Sequence, residues 1–210
     1  MKKIYDLNEF GITDSVTLEG ELRILRFEEG LPTVFLFDEN HSNLNNCIDK
    51  NIVNAIELIK YGNVKLIGVE SEAGGKRWDP THRVYNEFYF DKKFDDHFIK
   101  KYRSAVNKFA DEVKKVFKDG VCGVECWGIM ENISQDLVKG FPSASIHPLN
   151  LIRSEHFIKT LFANYSTGKG NLILNCGSNH NTHIEKWVLE NEIDLMVGTK
   201  ANYIRIDTTV

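Results

Sequence analysis

At 210 residues, 42% of them hydrophobic and 27% charged, the chain is long enough for one well-buried domain and short for two. A formal net charge of −4, with basic side chains interspersed among acidic ones, leaves no electrostatic footprint for nucleic acid. No apolar run is long enough to span a bilayer, and Lys2-Lys3 has no apolar segment behind it, so no membrane partner and a reducing, cytoplasmic setting are expected.

In chain order, residues 1–32 are weakly patterned. The stretch from Val16 to Phe27 alternates enough to predict an edge strand or a hairpin with Gly20 near its turn. Val34-Phe35-Leu36-Phe37 then reads as a strand buried on both faces, followed at once by the polar turn Asp38-Glu39-Asn40-His41. Ser42 or Asn43 is the expected N-cap of a helix whose apolar positions run from Cys47 to Ile59 and which stops at Gly62. Val64 to Val69 is a second strand, ending in Glu70-Ser71-Glu72-Ala73-Gly74-Gly75.

Residues 76–92 carry Trp78, Tyr85, Phe88, Tyr89 and Phe90 among polar neighbours, and read either as a lid over a crevice or as an irregular helix. A long amphipathic helix is predicted from Phe94 to Phe117, and a third strand from Val121 to Glu125. The matching phrases Gly68-Val69-Glu70 and Gly123-Val124-Glu125 place both glutamates at one edge of the sheet. After a helix over residues 128–141, Ser143 to His147 reads as a short strand stopped by Pro148, and Asn150 to Tyr165 as a helix with Arg153 in its first turn. Asn171 to His183 repeats the first arrangement, a buried strand running into a polar turn that again contains Asn-His, at Asn179-His180. The helix Ile184 to Glu192 and closing strands at Ile193–Val197 and Tyr203–Ile206 follow.

Strand and helix alternate throughout, which predicts a single three-layer α/β domain over residues 1–210, with a mostly parallel sheet and helices on both faces. Polar turns at the carboxyl ends of parallel strands lie where such sheets place their ligand crevices. If the two turns sit on neighbouring strands, His41 and His180 meet in one crevice with Glu39 and Glu70.

A histidine titrates near neutrality and a glutamate can be tuned toward it, so such a group can take and return a proton during hydrolysis. The same side chains are ordinary ligands for a divalent metal, in which case His41 and His180 would hold it beside a glutamate. Arg153 is expected either to hold a carboxylate of the site or to bind an anionic substrate group. Glu72, Glu125, Trp78 and Tyr85 are expected on the substrate side, although Glu72 reads equally as an exposed loop carboxylate. His147 is a weaker site candidate, and His82, His97, His156 and His183 read as structural or exposed. Cys47, Cys122, Cys126 and Cys176 show no Cys-x-x-Cys spacing and read as buried free thiols. Neither Ser42 nor Ser71 sits in a Gly-x-Ser-x-Gly elbow, and Gly74-Gly75-Lys76 lacks the P-loop frame.

These residues resemble the superfamily that contains erythromycin esterases, ChaN-like haem-binding proteins, TraB proteins and TIKI metalloproteases. Its pattern is a pair of Gly-x-x-His turns, a glutamate closing the strand after the first, and an arginine-bearing helix just before the second. Gly177-Ser178-Asn179-His180 resembles the second turn, Arg153 in Leu151 to Leu161 the arginine helix, and Glu70 the closing glutamate. Glu39 with His41 resembles the Gly-Glu-x-His form of the first turn, with Asp38 standing where the family usually has glycine. The resemblance implies a fold of two related βα halves. It implies a hydrolase of esterase or metal-dependent peptidase type acting on a small molecule or peptide, the metal being Mn, Zn, Co or Fe. Its alternatives are a protein binding haem or another flat ligand through the aromatic segment, and a degenerate interaction module.

Overall fold

A strand that is apolar at consecutive positions, such as Val34 to Phe37, has to be covered on both faces, and the architecture supplies that cover. The computed structural model describes residues 2–10, 12, 15–40, 44–70, 72–73, 76–77, 107–125, 146–166 and 168–209. In chain order the strands and helices among them are β1 (Lys2–Tyr5), β2 (Val16–Glu19), β3 (Glu21–Arg26), β4 (Thr33–Glu39), α1 (Leu44–Tyr61), β5 (Val64–Val69), β6 (Glu72–Ala73), β7 (Lys76–Arg77), α2 (residues 107–116), β8 (Val121–Gly123), α3 (Ile146–Asn164), β9 (Asn171–Gly177), α4 (Ser178–Leu189), α5 (Ile193–Val197) and β10 (Asn202–Asp207). Among them no helix is long and apolar enough to cross a membrane.

The main sheet has six strands in the order β3-β10-β4-β9-β5-β8, with β3 antiparallel to β10 and every other pair parallel. Strand parity divides the core into two layers. Val34, Leu36, Leu172 and Leu174 pack against Phe157 and Leu161 of α3 and Ile184 and Trp187 of α4. Phe35, Phe37 and Ile173 pack on the other face against Ile48 and Leu58 of α1 and Phe109 and Val113 of α2. Each such side chain contributes about 1.5–3 kcal/mol of burial free energy, so the strands of both βα units are held from above and below. The α/β architecture with a mostly parallel sheet is therefore as the alternating pattern predicts.

Several local expectations are corrected. The Val16–Phe27 stretch is not a hairpin: β2 pairs with β1 in a separate antiparallel sheet, whereas β3 joins the edge of the main sheet. Gly20 makes the break, at φ +108°, where a Cβ would lie 2.4 Å from the Asp207 carbonyl oxygen. Ile193–Val197 is a helical turn rather than a strand. Met196 N–H donates to Glu192 O at 3.2 Å, and Gly198 at φ +74° closes the turn onto Asp194 O at 2.9 Å. Only Ile193 of its apolar residues is buried, and Leu195 is 90% exposed, so no second sheet face holds this segment extended. At the other corrected site, Ile146 and His147 are already helical, because proline is tolerated in a first helical turn and Pro148 does not mark a boundary there. The third strand is shorter than expected, ending at Gly123.

Buried asparagines tie these elements together by completing backbone hydrogen bonds where strands end. Asn171 Nδ2 donates to Gly62 O at 2.8 Å while its Oδ1 accepts the Thr33 N–H at 2.8 Å. Asn202 accepts from Glu28 N–H at 2.6 Å and donates to Glu28 O and Leu31 O. Asn54 of α1 faces the edge of β2, accepting the Glu19 N–H at 2.7 Å and donating to Glu19 O at 2.8 Å, as another strand would. Replacing it leaves both backbone groups without these partners next to a buried interface. Asn54→Ala is therefore expected to lower unfolding free energy by about 2 kcal/mol, read as a lower urea midpoint at unchanged m-value.

Candidate functional site

Parallel pairing of β4 with β9 sets Glu39 beside Gly177, and pairing of β9 with β5 sets Asn175 beside Val69. The carboxyl ends of these strands and of β8 therefore finish side by side, and α4 starts directly from the end of β9. Four of the expected site residues meet at this edge.

Arg153, on α3, is 2% exposed and is enclosed by two carboxylates. Its Nε and Nη2 donate to Glu125 Oε1 and Oε2 at 3.2 and 2.6 Å, and Nη2 also donates to Glu70 Oε1 at 2.9 Å. Nη1 reaches Asn150 Oδ1 at 3.3 Å, and the guanidinium carbon lies 5.4 Å from the Phe157 ring centroid. The planar fork suits this bidentate arrangement, which a lysine does not reproduce. Of the two roles expected for Arg153, the geometry matches the one in which it holds carboxylates of the site. Glu125 is bound to Arg153 and is buried rather than open to a substrate.

The other Glu70 oxygen, Oε2, accepts the Gly177 N–H at 2.7 Å, so this carboxylate bridges α3 and the start of α4. His180 lies in the first turn of α4 at 4% exposure, with its ring 4.7 Å from that of Phe157. Its Nε2 stands 3.6 Å from Glu70 Oε1, and its Nδ1 is 2.8 Å from Ser154 Oγ. Ser154 is fully buried and also contacts His183 Nδ1 at 2.9 Å and Asn150 O at 2.6 Å. Its hydroxyl resembles the serine of a Ser–His–Glu triad only in composition. Buried inside a helix and bonded to a carbonyl, it has no approach for a carbonyl substrate.

Glu39 lies elsewhere. Strand alternation turns it to the α1 face with Phe35 and Phe37, where its Oε1 accepts from Asn175 Nδ2. Asn175 in turn accepts from Asn51 at 2.9 Å, and Asn51 accepts from Thr208 at 2.7 Å. His41, Trp78 and Tyr85 lie outside the described residues; for Glu72 only the backbone, in β6, is described. Among the described residues no group of three or more His, Cys, Asp or Glu side chains is disposed to hold a metal ion. His180 and Glu70 supply two donor atoms of suitable kind.

Asp38 takes the opposite parity to Glu39 and faces α4. It is 1% exposed, and Arg205 of β10 clamps it through Nε at 2.9 Å and Nη2 at 2.7 Å, with Asn181 Nδ2 on its other oxygen at 2.8 Å. Arg205 also binds Glu185 at 2.6 Å, and Glu185 binds Arg23 at 2.9 Å, so an alternating row of charges leads from the core to the surface. Asp38 is an ordinary strand residue within β4, and this position does not call for glycine. Burial pushes the Asp38 carboxyl above its usual range, and the Arg205 and Asn181 contacts offset only part of that. Burial likewise raises the Cys47, Cys122 and Cys176 thiols, Cys122 to about 11, which keeps them neutral. Cys176 is raised further by the neighbouring carboxylates Glu70, Asp38 and Glu39. Cys122 is half-buried rather than buried, and Cys126 lies outside the described residues.

Ser154, Asn175 and Arg205 were not among the expected site residues, and His183 was expected to be structural or exposed. Arg205 carried a signal: it is the lone charge within the run Tyr203 to Ile206, so on a strand covered on both faces it needs a buried anion. The chain matches no protein-family model, no curated protein and no solved structure.

Removing Arg205 strands Asp38. Breaking a buried pair from one side costs about 3–5 kcal/mol, and loss of the arginine raises the folded-state pKa of Asp38 further. A carboxyl raised on folding favours the native state below its unfolded pKa and loses that advantage as pH rises through the folded value. Arg205→Met is therefore expected to be most destabilised at neutral and alkaline pH, with the deficit against wild type shrinking on acidification, as read from urea midpoints across pH.

Proposed function

We propose that this chain is a hydrolase in which His180 activates water at the carboxyl ends of β4, β5 and β9. The observation that carries the reading is the orientation of a buried imidazole from both sides, by Ser154 at Nδ1 and by Glu70 near Nε2. A general base needs one nitrogen held by a neighbour and the other directed at its proton. Glu70 sits where it stabilises the imidazolium that forms, and Arg153 with the Gly177 N–H keeps that carboxylate in place. The neighbouring parallel units β4–α1 and β9–α4 support two related halves of the kind the Gly177-to-His180 turn suggests. Ester or amide substrates fit a site whose residues move protons, and burial holds the thiols of Cys47 and Cys176 neutral.

The 3.6 Å between His180 Nε2 and Glu70 Oε1 also fits a metal-assisted variant. In it these atoms would contact one divalent ion, whose chemistry is to acidify a bound water.

The test is hydrolysis of p-nitrophenyl esters and a peptide p-nitroanilide. His180→Ala is expected to lower kcat/KM about 10²–10⁴-fold, the range for loss of a general base, with Glu70→Gln intermediate. Full activity in His180→Ala, or none in the wild type, removes the reading. Full activity after exhaustive dialysis against EDTA, with no metal by elemental analysis, removes the metal-assisted variant alone.

A further inference from the structure

The contacts of Ser154 at the Nδ1 side of the His180 ring determine more than its orientation. Ser154 Oγ has three polar neighbours: Asn150 O at 2.6 Å, His180 Nδ1 at 2.8 Å and His183 Nδ1 at 2.9 Å. A hydroxyl offers one proton and two lone pairs. The Asn150 carbonyl only accepts, and two oxygens at 2.6 Å repel unless a hydrogen lies between them. The serine proton is therefore committed to Asn150, in the i→i−4 back-bond that serine makes inside helices. Both lone pairs then face imidazole nitrogens, and both nitrogens must carry hydrogen.

From this count we infer that Ser154 is a positioning residue that fixes the Nδ1–H tautomer of His180, leaving the lone pair of the neutral ring on Nε2. The assignment runs against the preference of the nearby carboxylate, which by itself favours hydrogen on Nε2. Distance decides the competition. Nε2 is 3.6 Å from Glu70 Oε1, beyond hydrogen-bond range, whereas Nδ1 is 2.8 Å from Ser154, and both Glu70 oxygens already receive N–H groups from Arg153 and Gly177. His183 takes part by filling the second lone pair, which leaves the serine proton no reason to rotate toward His180. This half-buried histidine is thus tied to the buried one across α3 rather than simply lying at the surface.

The inference rests on the hydrolase reading only for its consequence. There, water breaks an O–H bond and the proton forms a bond to Nε2, while the hydroxide oxygen adds to the carbonyl carbon. The imidazolium keeps Nδ1–H on Ser154 and later returns the Nε2 proton to the leaving group. With the other tautomer, Nε2 already bears hydrogen and the first transfer has no acceptor.

Long-range ¹H–¹⁵N correlation spectra of the full-length protein, at a pH where the rings are neutral and with His180 assigned by loss of its signals in His180→Gln, read the tautomer directly. His180 in the wild type is expected to show a protonated Nδ1 and a lone-pair Nε2. Ser154→Ala is expected to exchange these signatures and lower kcat on the esters about 10–100-fold, by analogy with loss of the partner that orients a metal-bound histidine, with KM within about threefold. Ser154→Thr, which keeps the hydroxyl, is expected to restore both. Hydrogen on Nε2 in the wild type, or a Ser154→Ala protein with native circular dichroism and unchanged tautomer, overturns the inference. If Ser154→Ala fails to fold, the wild-type spectrum alone decides it. Wild-type protein with the expected tautomer but no turnover of any ester or anilide leaves the inference standing and removes the hydrolase reading.

Discussion

Parallel pairing of β4 with β9 is the constraint on which the arrangement depends. Strands joined this way cannot be connected by a tight turn, so residues far apart in the chain are brought edge to edge, with Glu39 opposite Gly177. The pairing also sets parity. Asp38 and Cys176 turn toward α4 while Glu39 and Asn175 turn toward α1, and a slip of one residue would exchange every one of these environments. Complete burial of both strands makes such a slip costly, because it would also carry Phe35 and Phe37 into a layer shaped for Val34 and Leu36.

On this frame the polar side chains among the described residues gather around two arginines and one row of amide and hydroxyl groups. Arg153 gathers Glu70 and Glu125, Arg205 gathers Asp38 and Glu185, and Asn175 binds Glu39 and leads on to Asn51 and Thr208. Buried ions of this kind contribute little net stability because desolvation offsets their attraction, yet each is costly to leave without its partner. They therefore act mainly on geometry. Glu70 is the member that belongs to two groups at once, since it accepts from Arg153 and from Gly177 and also faces His180. A change in α3 thus reaches the first turn of α4 through this carboxylate as well as through Ser154 and Phe157.

Several parts of this organisation were legible before any coordinates. The continuous apolar runs in β4 and β9 announced strands of a covered parallel sheet, and the stops at Gly62 and Gly177 placed the turns. Glu70, Arg153 and His180 were legible as candidates, together with Glu39 and His41, and Glu125 as a substrate-side residue, because each is a polar residue where an apolar pattern ends or is interrupted. Ile193–Val197 was misread because five residues with apolar members suit a strand or a helical turn equally, and the αL cap at Gly198 settles that choice only in three dimensions. Gly20 was placed correctly at a break, but the partners of the strands on either side of it lie in different sheets.

Local sequence thus marked most of the described strands and helices and the side chains that stand at their ends, because periodicity and turn chemistry act over a few residues. Tertiary structure decided which of those ends touch. It alone separates Glu39 from the Glu70–His180 group, assigns Asp38 to Arg205, and brings Ser154 between two histidines of another helix. Such pairings depend on strand order, register and parity, which are set by burial across the whole sheet and have no counterpart within a short window of the chain.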